Sequence, residues 1–413
     1  MSSKLVIEKL NNISGFERIS ENEDYLNAVL AFRFEDDNLE EINFCDDKNI
    51  VGNIYVGYVK GVVKNIGAAF VEFGDKTGYF SLKDNKSPVY LNKKSSSKIC
   101  SGDRVLVQVS KDKSKTKDYT VTSAIEFTGD LSLFIAGAAG IKFSAKIKDD
   151  DFKKDVIREA NNAPEISAAL IENKAGFLIR TNAYGKEIRD IIFEMQTQLN
   201  YFNYIKEKAS HKMPRDIVVK SEHPLIQVIK NAHKDNVGEV VIEDKEVIDY
   251  IHKFFSGSNK EKMNVVKEYD DKLLPMSKLY SLEKHLRSAL NKNVWLKSGA
   301  YIVIEPTEAF VSVDVNTGKC AKGADVQKTF LKINMEAADE IARQMRIRNL
   351  SGIIIVDFIN MTDPQSNEIL ISHMKEQLMK DKVVATVEGM TNLGLMEMTR
   401  KKVNKPLYEC IRK

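Results

Sequence analysis

Val311-Ser312-Val313-Asp314-Val315-Asn316-Thr317-Gly318 ends an apolar, strand-forming run in a lone carboxylate, and Gly352-Ile353-Ile354-Ile355-Val356-Asp357-Phe358 does so again. A strand of this kind can place its terminal polar side chain at a sheet edge open to solvent and ligand. Two such ends side by side would suit a hard cation. Magnesium takes oxygen ligands and commonly only one or two protein carboxylates, with water and substrate phosphate completing its octahedron. Asp314 and Asp357 are therefore candidate metal ligands and catalytic residues. Asn316, two residues on and so on the same strand face, is placed to orient a metal-bound water. Asp is also common where strands end, as an ordinary turn residue, so either carboxylate alone says little. The pair carries the reading.

Length and composition set the bounds around it. A chain of 413 residues exceeds one core and should divide into two to four domains. Charged residues make up 29% but the net charge is only +3, so any nucleic acid must be held by local patches rather than a global basic field. Cys45, Cys100, Cys320 and Cys410 are scattered without a C-x-x-C pair, which points to reduced thiols in a cytoplasmic protein and away from zinc. The N-terminus lacks a long apolar core, and no apolar run approaches the ~20 residues of a spanning helix. The six histidines are dispersed without metal-ligand spacing.

Residues 51–123 form a second informative stretch. Glycine-punctuated strands run through Gly52-Asn53-Ile54-Tyr55-Val56 and Ala68-Ala69-Phe70-Val71-Glu72-Phe73. A turn is expected at Asp75-Lys76-Thr77-Gly78 before Tyr79-Phe80-Ser81-Leu82, and Asp103-Arg104-Val105-Leu106-Val107-Gln108-Val109 follows a Lys/Ser-rich loop. Short strands with glycine corners describe a small barrel of OB type, which binds single strands by stacking bases on aromatics beside a basic groove. Phe70 and Phe80 are the candidate platform and Lys117 a candidate phosphate contact. The pattern alone slightly favours the alternative, that both rings are core.

Farther on, strands and helices alternate in an α/β multidomain chain. Gly176-Phe177-Leu178-Ile179-Arg180-Thr181 reads as a strand delivering an Arg-Thr pair to its end. Over 186–208 the spacing of Ile188, Ile191, Ile192, Met195, Leu199, Phe202 and Ile205 predicts a helix with one packing stripe. A helix over 225–229 and a strand over 239–242 form a further unit, another helix begins at Ser281 and runs toward Trp295, and Thr362-Asp363-Pro364 starts one more.

Several long motifs in order now resemble one family, the ribonuclease E/G family. They are Val294-Trp295-Leu296-Lys297-Ser298-Gly299, Asp314-Val315-Asn316-Thr317-Gly318, the helix from Asn334 to Gln344, Val356-Asp357-Phe358-Ile359-Asn360-Met361, and Leu393-Gly394-Leu395-Met396-Glu397-Met398-Thr399-Arg400-Lys401. The barrel segments around Gly52 and Ala68 join them. The resemblance implies an RNase-H-like subdomain from 1–43 and 221–279, interrupted by an OB-fold RNA-binding barrel at 44–126 and a 5′-sensor subdomain at 127–220. A deoxyribonuclease-I-like catalytic subdomain at 280–413 follows. It also implies that Asp314 and Asp357 hold Mg2+, that Asn316 positions a reacting group, and that single-stranded RNA is cut in RNA processing and decay. Phe70, Phe80 and Lys117 would grip RNA. Gly129, Leu133, Arg180 and Thr181 would form a 5′-phosphate pocket, and the protein would assemble as a homodimer or higher homo-oligomer.

The departures are specific. Tyr408-Glu409-Cys410-Ile411-Arg412-Lys413 carries no C-P-x-C zinc link, so no zinc is expected and any protomer contact would be metal-free. Asn360 stands where an acidic residue is common, and Val384 where the family tends to place a basic residue of the 5′ pocket. Two other function classes remain open from the residues: a catalytically silent single-stranded RNA-binding protein, and a magnesium-dependent DNA nuclease, since metal-assisted phosphodiester hydrolysis does not depend on the sugar.

Overall fold

The structure is a computed structural model that describes residues 3–18, 28–46, 50–93, 98–113, 118–172, 174–234, 237–255, 265–318 and 326–412. It is mixed α/β, in two compact units: residues 1–48 with 223–413, and residues 49–222. The first unit opens with β1 (Ser3–Lys9), β2 (Val29–Glu35) and β3 (Asn38–Cys45), paired antiparallel. Asp36 and Asp37 turn the β2–β3 hairpin with φ of 45° and 65°, the left-handed pair that matches the twist of the flanking strands.

In the second unit, β4 (Ile54–Val63), β5 (Ala68–Phe73), β6 (Lys76–Ser81), β7 (Arg104–Lys111) and β8 (Tyr119–Thr122) are ordered β4-β5-β6-β8-β7, and β7 pairs back onto β4. These five strands close an OB-like barrel. Val59, Val71, Phe73, Phe80, Val107 and Val121 fill its interior. The turn expected at 75–78 falls earlier. Phe73 pairs with Lys76, so Gly74 (φ +53°) and Asp75 make a two-residue turn and β6 begins at Lys76. Gly78 is then inside a strand for packing reasons: a Cβ there would lie 2.9 Å from Val121 and 3.0 Å from Phe73.

Beyond the barrel lie β9 (Glu126–Thr128), β10 (Ser132–Ala136), β11 (Ile141–Phe143), α1 (Asp150–Asn162), β12 (Ala175–Ile179) and α2 (Ile188–Ser210), with sheet order β9-β10-β12-β11. The apolar stripe read for α2 is its buried face: Ile191, Met195, Leu199, Phe202 and Ile205 are buried, and Ile188 and Ile192 pack beside them.

The chain returns to the first unit with α3 (Pro224–Lys234), β13 (Glu239–Ile242), α4 (Lys245–Phe255) and β14 (Val266–Glu268). β13 pairs in parallel with β1 and β14 in parallel with β13, giving the sheet order β14-β13-β1-β2-β3. The helix expected from Ser281 toward Trp295 is α5 (Leu282–Ala289) and stops short. Its anticipated end is instead β15 (Asn293–Trp295), a short strand drawn into a hairpin with β16 (Tyr301–Pro306). Then come β17 (Val311–Asn316), α6 (Val326–Ile347), β18 (Gly352–Asp357), α7 (Pro364–Leu378), β19 (Ala385–Met390) and β20 (Leu395–Arg400), in a six-stranded sheet ordered β15-β16-β17-β18-β20-β19. Among the described residues no helix is long and apolar enough to cross a membrane.

One buried carboxyl in the first unit makes stability depend on pH. Glu8 on β1 is 1% exposed; its Oε1 accepts from Lys9 N at 3.0 Å and Asn12 Nδ2 at 2.7 Å. Burial, reinforced by the neighbouring Glu243 carboxylate, pushes its pKa up to about 7 against the pull of the Asn12 bond. Between the ordinary carboxyl value near 4.5 and about 7 the folded state therefore binds more protons than the unfolded chain. Stability is full below that window and declines as pH rises through it, by on the order of 1–3 kcal/mol. Urea midpoints at pH 5 and pH 8 should show this fall, and Glu8→Gln, neutral throughout, should flatten it. An unchanged slope in the variant would assign the pH dependence elsewhere.

Candidate active site and nucleic-acid interface

The alternation seen in Val311-Ser312-Val313-Asp314-Val315-Asn316 sorts the sheet into two faces. Val311, Val313 and Val315 point, with Ile354, Val356, Met396 and Met398, into a core formed with Ala337, Ile341, Leu370 and Met374 of α6 and α7. Ser312, Asp314 and Asn316 must face the other way. β17 and β18 are the parallel pair of this sheet, and in their register Asp314 lies directly beside Asp357. Both carboxylates are exposed. The two strand ends foreseen in the sequence are thus neighbours, at the carboxyl ends of parallel strands where α/β sheets commonly bind ligands.

Asn316 Nδ2 donates to Asp314 Oδ2 at 2.6 Å, which fixes that carboxylate and leaves Oδ1 for a ligand. Two residues beyond Asn316, Gly318 has φ +57°, and a Cβ there would strike the Gly299 carbonyl at 2.5 Å. Glycine at 318 therefore lets the β15–β16 turn close down on the end of β17. After Asp357 the chain is held by the buried Asn334 of α6, whose amide accepts from Ile359 N at 3.0 Å and donates to Ile359 O at 2.8 Å.

The donor set fits magnesium. Two adjacent, exposed carboxylates supply what that ion ordinarily takes from protein, and among the described residues no group of three or more His, Cys, Asp or Glu gathers to cage a metal. Cys45 and Cys410 are buried and Cys100 exposed, and burial raises the Cys45 thiol to about 12.

On the barrel, the two candidate platform rings part company. Phe70 is half-buried on the outer face, where its register partner on β6 is the half-buried Tyr79. Phe80 pairs with the buried Ala69 and is 0% exposed inside the barrel. Phe80 is thus core in this structure, which corrects its reading as a stacking surface. Tyr79, which sequence reasoning passed over, takes the outward place beside Phe70. Lys117 lies outside the described residues. Phe80→Ala should cost about 3–5 kcal/mol of stability, whereas Phe70→Ala should leave the melting temperature nearly unchanged and weaken single-strand RNA binding by about 1–3 kcal/mol. Calorimetry beside a binding titration separates the two, and equal melting losses in both variants would return Phe70 to the core.

The four residues of the expected 5′ pocket converge at one end of the β9-β10-β12-β11 sheet. Arg180 Nη1 donates to the Gly129 carbonyl, Thr181 Oγ1 and Ser144 Oγ share a hydrogen bond of 2.8 Å, and Leu133 pairs with Thr128 and Leu178. Sequence reasoning missed Glu194 of α2. Its carboxylate accepts from the backbone N–H groups of Asp130, Leu131 and Ser132 and from Ser132 Oγ, and a Cβ on Gly129 would meet it at 2.3 Å. Val384, 70% exposed, precedes β19 in the first unit.

Comparison with known proteins extends this geometry. The model of the family described as "Ribonuclease E/G family" matches residues 127–403, more than half of the chain. Ribonuclease E of Nostoc sp. is 29% identical over 389 residues, covering 92% of this chain and 55% of the relative. Ribonuclease E of Escherichia coli is 26% identical over 369 residues, 86% of this chain and 34% of the relative. Ribonuclease G of the same organism is 28% identical over 372 residues, 87% and 74%. The chain thus spans from about a third to just over half the length of these two ribonuclease E relatives.

Proposed function

The chain belongs to the ribonuclease E/G family, and from that premise we propose that it is a magnesium-dependent endoribonuclease acting on single-stranded RNA. The observation that carries the reading is the side-by-side register of Asp314 and Asp357, with Asn316 bonded to the first. Asp314 and Asp357 would hold the ion, and Asn316 would orient Asp314 and a water facing the phosphodiester. Magnesium bound there supplies charge for the phosphoryl oxygens and a more acidic water. A substrate must approach over an open sheet face, which suits a polymer better than a small metabolite.

The strand order β14-β13-β1-β2-β3 supports an RNase-H-like reading of the first sheet, and the sheet carrying Asp314 and Asp357 a deoxyribonuclease-I-like one. The barrel would grip single strands through Phe70 and Tyr79. Circular single-stranded RNA, which has no ends, tests the reading: the protein with magnesium should linearise it. Persistence of the circle while linear RNA is shortened from its ends would replace the endonuclease with an exonuclease.

Arg180 and Thr181 would recognise a 5′-monophosphate, since charge-assisted hydrogen bonds are roughly twice as strong as neutral ones. The ratio of cleavage rates for 5′-monophosphate and 5′-hydroxyl forms of one oligomer should fall toward one in Arg180→Ala, and an unaltered ratio would remove Arg180 from that role.

A further inference from the structure

We propose that Trp295, braced by Tyr301, is a base-stacking platform that seats the nucleotide next to the scissile phosphate. The proposal rests on the nuclease reading above and adds a substrate-positioning surface to the same site. Trp295 pairs with Tyr301 across β15 and β16, and Tyr301 pairs with Asn316 across β16 and β17. Directly opposed residues point to the same side of a sheet, so Trp295, Tyr301 and Asn316 form one row on the face that carries Asp314 and Asp357. Trp295 stands two strand spacings from Asn316, roughly 10 Å.

The rings confirm the placement. Their centroids are 5.1 Å apart with planes at 49°, so Tyr301, itself half-buried, supports the indole from one side. Trp295 nevertheless remains 70% exposed. Leaving the largest aromatic side chain that open forgoes much apolar burial, and a fixed, exposed ring beside a phosphodiester-cutting site is what a base stacks on. The neighbours in sequence argue against a misplaced core residue. Val294 and Leu296 are both buried on the helix side of the sheet, so the alternation leaves Trp295 on the open side. Trp295 also lines a cleft together with charged residues that include Arg33, Glu340 and Arg343.

Trp295 is the sole tryptophan of the chain, so its fluorescence reports this ring alone. Asp357→Asn protein, titrated with a 5′-hydroxyl single-stranded oligoribonucleotide, should lose a large part of its emission at saturation. Trp295→Ala should lower kcat/KM of cleavage by about 5- to 150-fold, and Trp295→Phe should restore most of it. An abasic site scanned along the oligomer should abolish the difference between wild type and Trp295→Ala at one position flanking the cut. Unquenched emission together with full-rate cleavage by Trp295→Ala would overturn the platform while leaving the nuclease reading standing. No cleavage by the wild-type protein would overturn the nuclease reading and the platform with it.

Discussion

Asp357→Asn and Asp314→Asn should each reduce RNA cleavage by about 10²- to 10⁴-fold while leaving RNA affinity largely intact. The size follows from the several kcal/mol of charge stabilisation and nucleophile activation that a bound cation contributes, at one decade of rate per 1.36 kcal/mol. The substitution is nearly isosteric, and both side chains are exposed, so folding should change by no more than about 0.5 kcal/mol. Loss of rate with an unaltered melting temperature would therefore come from the site itself. The same variants should need higher magnesium to reach half their residual rate, because one of two carboxylates has lost its charge. Near-normal rates in either variant would sink the assignment of the strand pair.

A large stability effect should also come from Asp381→Ala, at about 3–5 kcal/mol. The side chains of Asp381 and Arg400 are each 4% exposed, with Arg400 Nε donating to Asp381 Oδ2 at 2.8 Å. Arg400 also donates from Nη1 to Asn349 Oδ1 at 2.8 Å and to the Leu350 carbonyl at 2.9 Å. Removing the carboxylate leaves a buried guanidinium without its counter-charge, which costs far more than an exposed pair is worth. Arg400 ends β20 and is paired with Gly352, the first residue of the strand that carries Asp357. Loosening this corner should thus also reduce cleavage at temperatures near unfolding. The double variant Asp381→Ala/Arg400→Met should recover part of the loss in a urea titration, since an apolar replacement of a buried pair can be nearly neutral. A double variant as unstable as the sum of its singles would show that Arg400 matters through Asn349 and Leu350 instead.

What was legible in the sequence was what local periodicity encodes. Asp314 and Asp357 close short strand-forming runs, the first alternating and the second continuously apolar, and the parallel register places them together. The stripe of α2 likewise has one reading at helical spacing. Phe80 was not legible, because its direction depends on where the β5–β6 turn falls. Once Gly74 and Asp75 form that turn, Ala69 opposes Phe80 and Phe70 opposes Tyr79, and the two phenylalanines take opposite faces. Trp295 escaped for a related reason: β15 has three residues, too few to show a period, and its pairing with Tyr301 is set by the Gly299 turn. The contacts of Glu194 with the 130–132 turn and the Arg400–Asp381 pair join distant positions and leave no local mark.

Matched single-stranded RNA and DNA oligomers, incubated with the protein with and without magnesium, give the decisive measurement. Internal cuts in the RNA that need magnesium, far slower or absent cuts in the DNA, and loss of cutting in Asp357→Asn are the predicted result. Equal cutting of both oligomers, or RNA cutting that persists after complete chelation or in Asp357→Asn, would contradict it.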